Sequence, residues 1–254
     1  MIDKKLIRER FAGAIATYDR AAVVQRRIAE KLSRLMQPYA PRGGSVFEAG
    51  CGTGIMSRLI MEHLHPERLY MTDLSESYRG CLCDLDPRIA VFTAGDAEQT
   101  PLPQGLSAVV SSSALQWFER PELFIARSAE ALVEGGVIAV ATYGVENLRE
   151  IGTLSGVRLP YPTCDRLRGM IPDTMAVEHF SEELITLAFG SAHEALSHLR
   201  QTGVAGIERP MGITATRRLI ADYDARYRDG KGGVTLTYHP IYIVARKKGR
   251  NDHT

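Results

Sequence analysis

The chain has 254 residues, of which 44% are hydrophobic and 24% are charged, a composition that suits one large globular core and excludes a disordered or fibrous protein. Its 31 basic and 30 acidic residues give a net charge of +1, so no overall field attracts it to nucleic acid or to an anionic membrane. No stretch approaches the roughly 20 apolar residues that span a bilayer.

The first forty residues predict a pair of helices. Apolar side chains recur at helical spacing over residues 6–36, with a break near "TYDR". The pattern ends at "QPYAPRGG", where proline and glycine stop a helix. We therefore expect residues 1–40 to form a helical unit of their own, able to fold over a site as a lid.

The next hundred residues alternate between strands and helices. The buried run "SVFEA" leads through a glycine turn into the amphipathic helix "IMSRLIMEHL", which is the opening of a βαβ unit. Further strands are predicted at "RLYMTDL", "RIAVFTAG", "LSAVVSSSA" and "GGVIAVATY", with helices at "SESYRGCLCDL" and "PELFIARSAEALV". Five strands in this rhythm predict a mostly parallel sheet that is covered on both faces.

The alternation stops at Gly144. We interpret residues 144–185 as an insertion over the carboxyl edge of the sheet, where open α/β sheets bind ligands. Helical spacing returns in "SEELITLAFGSAHEALSHLRQTG" and "ATRRLIADYDARYRD", and a long last strand, "GVTLTYHPIYIVARKK", is of the kind that pairs antiparallel with its neighbour. The whole chain, 1–254, is expected to form one α/β domain.

The cysteines and the N-terminus bear on the compartment. Cys51, Cys81, Cys83 and Cys164 form no CxxC pair and no metal-ligand spacing with histidine, which favours reduced thiols and no metal site. The N-terminal "MIDKKLIRERF" lacks the apolar core of a secretory signal. We therefore expect a cytoplasmic protein.

Three glycines at alternate positions, Gly50, Gly52 and Gly54 in "VFEAGCGTG", follow the first predicted strand. Such a turn lets a backbone approach a ligand closely. The spacing differs from the G-x-G-x-x-G of dinucleotide sites, and the run lacks the G-K-[ST] end of a P-loop. Glu48 would repel a pyrophosphate and pair with an ammonium group. These residues favour S-adenosylmethionine, which carries an ammonium and a sulfonium but no phosphate.

Two more acids follow the next strands. Asp73 ends the second strand, where a carboxylate can accept both ribose hydroxyls. Asp96 follows the third strand, where it can accept the adenine amino group. Because the carboxyl ends of parallel strands meet at one edge of a sheet, Glu48, Asp73 and Asp96 together predict one nucleoside site.

The sequence resembles class I S-adenosylmethionine-dependent methyltransferases in two motifs. "VFEAGCGTG" resembles their glycine motif, with Glu48 in place of the usual aspartate, and "GDAEQTPLP" resembles their G-D-A-x-x-L-P-x-P loop. The resemblance implies a Rossmann-like, seven-stranded, mostly parallel sheet with an antiparallel last strand. It also implies that the cofactor contacts include Glu48, Gly50, Gly52, Gly54, Asp73, Leu74, Asp96, Ala97, Ser113, Gln116 and Trp117.

Segments outside that core resemble one family, the malonyl-acyl-carrier-protein O-methyltransferases of biotin synthesis. The similar segments are "RFAGAIATYDRAAVVQRRIAEKL", "VSSSALQWF", "ATYGVENLREI" and "LTYHPIYIVARKKG". The resemblance implies that the acceptor is the free carboxylate of a malonyl thioester. The carrier would be acyl carrier protein or coenzyme A.

A malonyl carboxylate is ionised at neutral pH, so its methylation needs no general base. The protein has to desolvate it and hold it in line with the methyl group. We predict Tyr18 and Arg149 as catalytic residues, with the phenol on the lid and the guanidinium holding the acceptor carboxylate. Arg158, Arg166 and Arg168 are alternates to Arg149. Tyr161 and Phe180 are predicted to line the acyl pocket.

Two other functions stay open at this point. One is methylation of carbon or oxygen on a small aromatic or quinone precursor, which would need a base such as His179 or His193 near the acceptor. The other is a noncatalytic protein that binds S-adenosylmethionine.

Overall fold

The computed structural model describes residues 3–156, 159–204, 212–228, 230 and 232–249. Its helices are α1 (Lys4–Ala21), α2 (Val23–Met36), α3 (Ile55–Leu64), α4 (Pro121–Ala131), α5 (Arg149–Ser155), α6 (Cys164–Arg168), α7 (Ala192–Gln201) and α8 (Ile213–Tyr227). Its strands are β1 (Ser45–Ala49), β2 (Arg68–Asp73), β3 (Ala90–Ala94), β4 (Leu106–Ser112), β5 (Leu132–Tyr143), β6 (Met175–Glu182), β7 (Ile185–Phe189), β8 (Val234–Tyr238) and β9 (Pro240–Lys247).

Seven of these strands form one sheet in the order β3-β2-β1-β4-β5-β9-β6. Neighbours from β3 to β5 pair in parallel. Strand β9 runs antiparallel to both β5 and β6. The predicted fold class, a Rossmann-like seven-stranded sheet with an antiparallel last strand, is confirmed.

The structure corrects the interpretation of the chain after β5. Strand β6 lies inside the segment that was expected to be an insertion, and β7 occupies the start of an expected helix. In β6 most residues are only partly buried, so its apolar pattern is too weak to predict a strand. The expected long last strand is two strands, because Pro240 begins β9 while β8 pairs with β7 in a separate two-stranded sheet.

Side chains of β4 show how both faces of the sheet are covered. Ala108 and Val110 join the core beneath α2 and α3, while Val109 faces α4, as the two-residue period of a strand requires. With both faces packed, only the carboxyl edge of the parallel strands is left to build a site. Among the described residues, no helix has the length and apolar character needed to cross a membrane.

Candidate active site

The glycine loop after β1 is pressed against the segment that follows β4. A Cβ atom on Gly50 would lie 2.3 Å from the Cβ of Ala114, and Gly50 has a φ of +75°. Both facts exclude a side chain at this position. The loop therefore brings its backbone to the edge of the sheet where the other strands also end.

A cavity opens at this edge, and most of the predicted cofactor residues line it. Trp117 and the lid residue Tyr18 form one wall. The remaining predicted residues in the lining are Glu48, Gly50, Gly52, Asp73, Leu74, Asp96, Ala97 and Ser113. We call this space the cofactor cavity. Among the predicted contacts, Gly54 caps α3 beside it, and Gln116 faces a second cavity described below.

Two buried carboxylates give the cofactor cavity its electrostatic character. Glu48 is 1% exposed, and the hydroxyl of Ser57 donates to it at 2.6 Å. Burial raises the pKa of Glu48 to about 7. The backbone N–H of Gly52 donates to Asp73 at 2.9 Å, yet burial still raises the pKa of Asp73 to about 6. Since these hydrogen-bond donors are uncharged, the cavity favours a cationic ligand.

The predicted lid covers the cofactor cavity. Helix α1 is tied to the cavity rim at its start, where the Lys4 ammonium lies 2.5 Å from the Asp96 carboxylate and also pairs with Glu98. Midway along α1, the ring of Phe11 packs edge-on against Trp117, with centroids 5.6 Å apart. The chain then breaks at Ala22 before α2 begins. Residues at both ends and in the middle of α1, namely Lys4, Phe11 and Tyr18, therefore line the cavity.

Gln25 supplies an unexpected feature of this lid. The side chain is 6% exposed and lines the cofactor cavity, but among the described residues its Oε1 has no hydrogen-bond partner. A buried acceptor without a donor is unfavourable by about 1–3 kcal/mol. S-adenosylmethionine fits the cavity on these grounds, because its ammonium group can donate to Gln25 and offset the charge of the two buried acids.

A second, smaller cavity adjoins the first. Tyr18, Gln25, Ser113 and Trp117 line both cavities and form the wall between them. The other polar side chains that line the second space are Gln116, Tyr143, Asn147, Tyr161, Thr202 and Tyr238. We call it the acceptor cavity. Within the described part of the chain, its lining contains no lysine, arginine or histidine.

The structure does not bring every predicted substrate residue to this cavity. The side chain of Arg149 is 45% exposed, and it pairs with the carboxylates of Glu146 at 3.4 Å and Glu150 at 3.8 Å. The ring of Phe180 packs on the guanidinium of Arg168, 3.6 Å from the ring centroid, in the cluster around Leu167. Tyr161 does line the cavity. Arg158 lies outside the described residues.

Sequence reasoning missed five polar residues of the acceptor cavity, Gln25, Tyr143, Asn147, Thr202 and Tyr238. Gln25 closes the motif that begins at Tyr18, "YDRAAVVQ", and that motif was a usable signal. Tyr143 ends β5, where a polar side chain at the carboxyl end of a strand is a recognisable site position. Nothing in the local pattern marks Asn147.

Comparisons with known proteins identify the family of the chain. Residues 47–140 match a family model described as "Methyltransferase domain". The chain is 41% identical to a malonyl-[acyl-carrier protein] O-methyltransferase of Bacteroides thetaiotaomicron, over 97% of this chain and 99% of that protein. It is 32% identical to the Haemophilus influenzae protein of the same name, over 96% and 95%. It spans 51% of the Bacteroides fragilis relative, with 40% identity.

Solved structures show the same fold at low sequence identity. The YcgJ protein of Bacillus subtilis superimposes with a TM-score of 0.63 at 13% identity, over 87% of this chain and 99% of that chain. The N-methyltransferase NodS of Bradyrhizobium japonicum, solved with S-adenosylhomocysteine, gives a TM-score of 0.52 at 14% identity, over 87% and 86%.

The fold and the cofactor cavity define a Rossmann-like methyltransferase whose methyl donor is S-adenosylmethionine. Within that class, the chain belongs to the malonyl-[acyl-carrier protein] O-methyltransferase family.

Proposed function

We propose that this protein transfers the methyl group of S-adenosylmethionine to the free carboxylate of a malonyl group carried on acyl carrier protein, giving the methyl ester. The names of its relatives support this acceptor. We place the reaction at an early step of biotin synthesis and expect it to occur in the cytoplasm. Whether coenzyme A replaces the carrier protein is part of the test below.

The observation that carries the proposal is the chemistry of the acceptor cavity. Its polar lining consists of hydroxyl and amide groups, which can hold an anion but cannot remove a proton at neutral pH. An acceptor that arrives ionised, such as a carboxylate, needs no more than this. A phenol or an acidic carbon would need a base, and neither His179, which pairs with Ser181 at 2.7 Å, nor the exposed His193 lines the cavity.

S-adenosylmethionine, when bound, would supply an activated methyl group and the positive charge of its sulfonium. Glu48, Asp73 and Asp96 line the cofactor cavity. We assign Glu48 and Asp73 to bind the amino-acid and ribose parts of the cofactor, and Asp96 to bind its adenine base. Tyr18 and Trp117 stand in the shared wall and keep water from the reacting groups. Exclusion of water makes the acceptor carboxylate a stronger nucleophile. Tyr18 is proposed as a catalytic residue on this basis.

Arg149 stays a prediction. It pairs with Glu146 and Glu150 and is not among the residues that line the acceptor cavity, so we propose that hydrogen bonds from neutral groups hold the carboxylate. Phe180 also stays a prediction, since it packs in a cluster with Leu167 outside both cavities.

A labelling experiment tests the proposal. Purified protein is incubated with S-adenosylmethionine that carries a tritiated methyl group and with malonyl acyl carrier protein. We expect label on the acyl group, released as methanol by mild base because methyl esters hydrolyse readily. Malonyl coenzyme A tests the carrier, and acetyl acyl carrier protein, which lacks the free carboxylate, is the control. Absence of base-labile label with both malonyl thioesters would overturn the proposal.

A further inference from the structure

Asn147 lies in a turn, residues 145–148, that is hydrogen-bonded to β8 and to the residue after it. The backbone N–H of Leu148 donates to the Thr237 carbonyl at 2.8 Å. The carboxylate of Glu150, 2% exposed, accepts from both the backbone N–H and the hydroxyl of Thr237, at 3.1 and 2.5 Å. Several buried hydrogen bonds between the same two segments leave the turn little freedom.

The orientation of the Asn147 amide follows from its partners. The backbone N–H of His239 donates to Oδ1 of Asn147 at 3.2 Å. A backbone N–H can only donate, so the oxygen of the amide has to face it. The Nδ2 group therefore points the other way, where it donates to the hydroxyl oxygen of Tyr161 at 2.8 Å.

This hydrogen bond determines what the Tyr161 hydroxyl can do. Its oxygen accepts from Asn147, so its own proton does not point at Asn147. Among the described residues the hydroxyl has no second partner, and both side chains line the acceptor cavity. Burial also raises the pKa of Tyr161, which keeps the phenol protonated and able to donate over the whole physiological pH range.

We propose that the Tyr161 hydroxyl donates a hydrogen bond to the acceptor carboxylate, and that Asn147 is a positioning residue that holds this proton toward the cavity. The inference rests on the proposed function and deepens it, because it replaces an arginine by an oriented phenol as the group that recognises the carboxylate. It also makes the role predicted for Tyr161 more specific, from a residue that lines the acyl pocket to a hydrogen-bond donor to the acceptor.

A neutral donor suits the reaction better than a guanidinium does. The acceptor loses its negative charge when the ester forms, so a fixed cation would hold the charged substrate more tightly than the transition state. A phenol donates to the carboxylate without a full charge and leaves the other oxygen free to react. Tyr161 lines the acceptor cavity, and that cavity shares a wall with the cofactor cavity.

Two substitutions distinguish the effect of removing the Tyr161 hydroxyl from the effect of reorienting its proton. Tyr161→Phe removes the hydroxyl. Asn147→Asp keeps an oxygen for the His239 N–H but places a second oxygen, an acceptor, against Tyr161, so the phenol proton turns toward Asp and away from the cavity. Tyr70→Phe is the matched control, because Tyr70 packs in the cluster on the other side of the sheet and lines neither cavity.

The steady-state KM for malonyl acyl carrier protein and kcat are measured for each variant. Dissociation constants for S-adenosylhomocysteine and melting temperatures show that the cofactor site and the fold are intact. We expect Tyr161→Phe to raise KM about tenfold, as for loss of a hydrogen bond to a charged group, and Asn147→Asp to raise it at least as much. The dissociation constant for S-adenosylhomocysteine should change less than twofold, and Tyr70→Phe should behave as wild type.

The double variant is the decisive measurement. If Asn147 acts by orienting the phenol, adding Tyr161→Phe to Asn147→Asp raises KM no further, because the proton has already been turned away. Independent multiplication of the two effects would overturn the positioning role. An unchanged KM in Tyr161→Phe, or a tenfold rise in Arg149→Gln instead, would overturn the inference while leaving the proposed function intact. A wild-type protein that methylates no malonyl thioester would overturn both.

Discussion

The hydroxyl of Thr53 donates a 2.6 Å hydrogen bond to the carboxylate of Asp19. Thr53 lies in the glycine loop and is 3% exposed, whereas Asp19 lies in the last turn of α1. This contact joins the loop that binds the cofactor to the helix that covers it. Asp19 directly follows Tyr18, so the same contact also fixes the residue that stands between the two cavities.

Thr53→Val should weaken cofactor binding. Valine has nearly the shape of threonine, so the change removes the hydrogen bond with little effect on packing. A hydrogen bond to a charged group stabilises by about 1.5–3 kcal/mol, and the closed lid loses that support. We expect the dissociation constant for S-adenosylhomocysteine, measured by calorimetry, to rise about tenfold. Thr186→Val, at an exposed position in β7, is the control, and equal affinities in the two variants would refute the role of this contact.

Lys4 should slow release of the cofactor. Its ammonium pairs with Asp96 and Glu98 across the cavity rim, and its side chain is 22% exposed, so the contribution is about 1 kcal/mol. Lys4→Met should therefore raise the dissociation rate of S-adenosylhomocysteine about fivefold in stopped-flow displacement. Lys5→Met changes an exposed neighbour and should have no effect. At 1 M salt the difference between Lys4→Met and wild type should shrink, and a difference that ignores salt would contradict an electrostatic tie.

The cofactor half of the site could be predicted because its determinants are local in sequence. Glu48 and Gly50 lie two residues apart, and Asp73 and Asp96 each follow a strand of a regular βαβ pattern. A parallel sheet then brings those strand ends to one edge. The same alternation of strands and helices predicted the fold as far as β5.

The acceptor half could not be predicted in the same way, because its contacts join distant parts of the chain. Asn147 meets His239 across 92 residues and Tyr161 across 14. Arg149 was predicted to hold the carboxylate because it follows the fifth strand and because a guanidinium suits a carboxylate. In the structure Glu146, three residues before Arg149, pairs with it, and the role of Arg149 stays a prediction. This ion pair could not be predicted from the sequence, because it depends on the conformation of the turn that joins the two residues.

The charge of Glu48 should make the cofactor-free protein less stable at higher pH. Burial raises its pKa from 4.5 to about 7, so between those values the folded protein holds a proton that the unfolded chain has lost. The free energy of unfolding therefore decreases as the pH rises from about 4.5 to about 7. Glu48→Gln removes this titration and should raise the free energy of unfolding at pH 8 by roughly 1–3 kcal/mol.

Denaturant unfolding at pH 5 and pH 8 measures this effect. Glu67→Gln, at an exposed position beyond α3, is the control and should follow wild type at both values. The same Glu48→Gln protein should bind S-adenosylhomocysteine at least tenfold more weakly, because it has lost a charge that faces the ammonium group. A variant that is no more stable than wild type at pH 8 would show that the buried carboxylate is not strained in the absence of ligand.

Gln25→Met should stabilise the cofactor-free protein and weaken its ligand binding. Methionine has a similar length, and it removes the buried Oε1 that has no partner. The Tyr143 hydroxyl keeps its 3.2 Å contact with the Ser113 hydroxyl, so the substitution does not leave it without a partner. Loss of the unsatisfied acceptor should raise the free energy of unfolding by about 1 kcal/mol, seen as a melting temperature about 2–4 °C higher.

The ligand affected by Gln25→Met should be the cofactor. Its ammonium group is a donor, which an unpaired carbonyl oxygen can accept, whereas an acceptor carboxylate has no proton to give. We therefore expect the dissociation constant for S-adenosylhomocysteine to rise about tenfold while the melting temperature of the free protein rises. Gln37→Met, at an exposed position that caps the same helix, should change neither quantity. A variant that melts lower and binds as wild type does would mean that Oε1 finds its donor within the protein and not in the ligand.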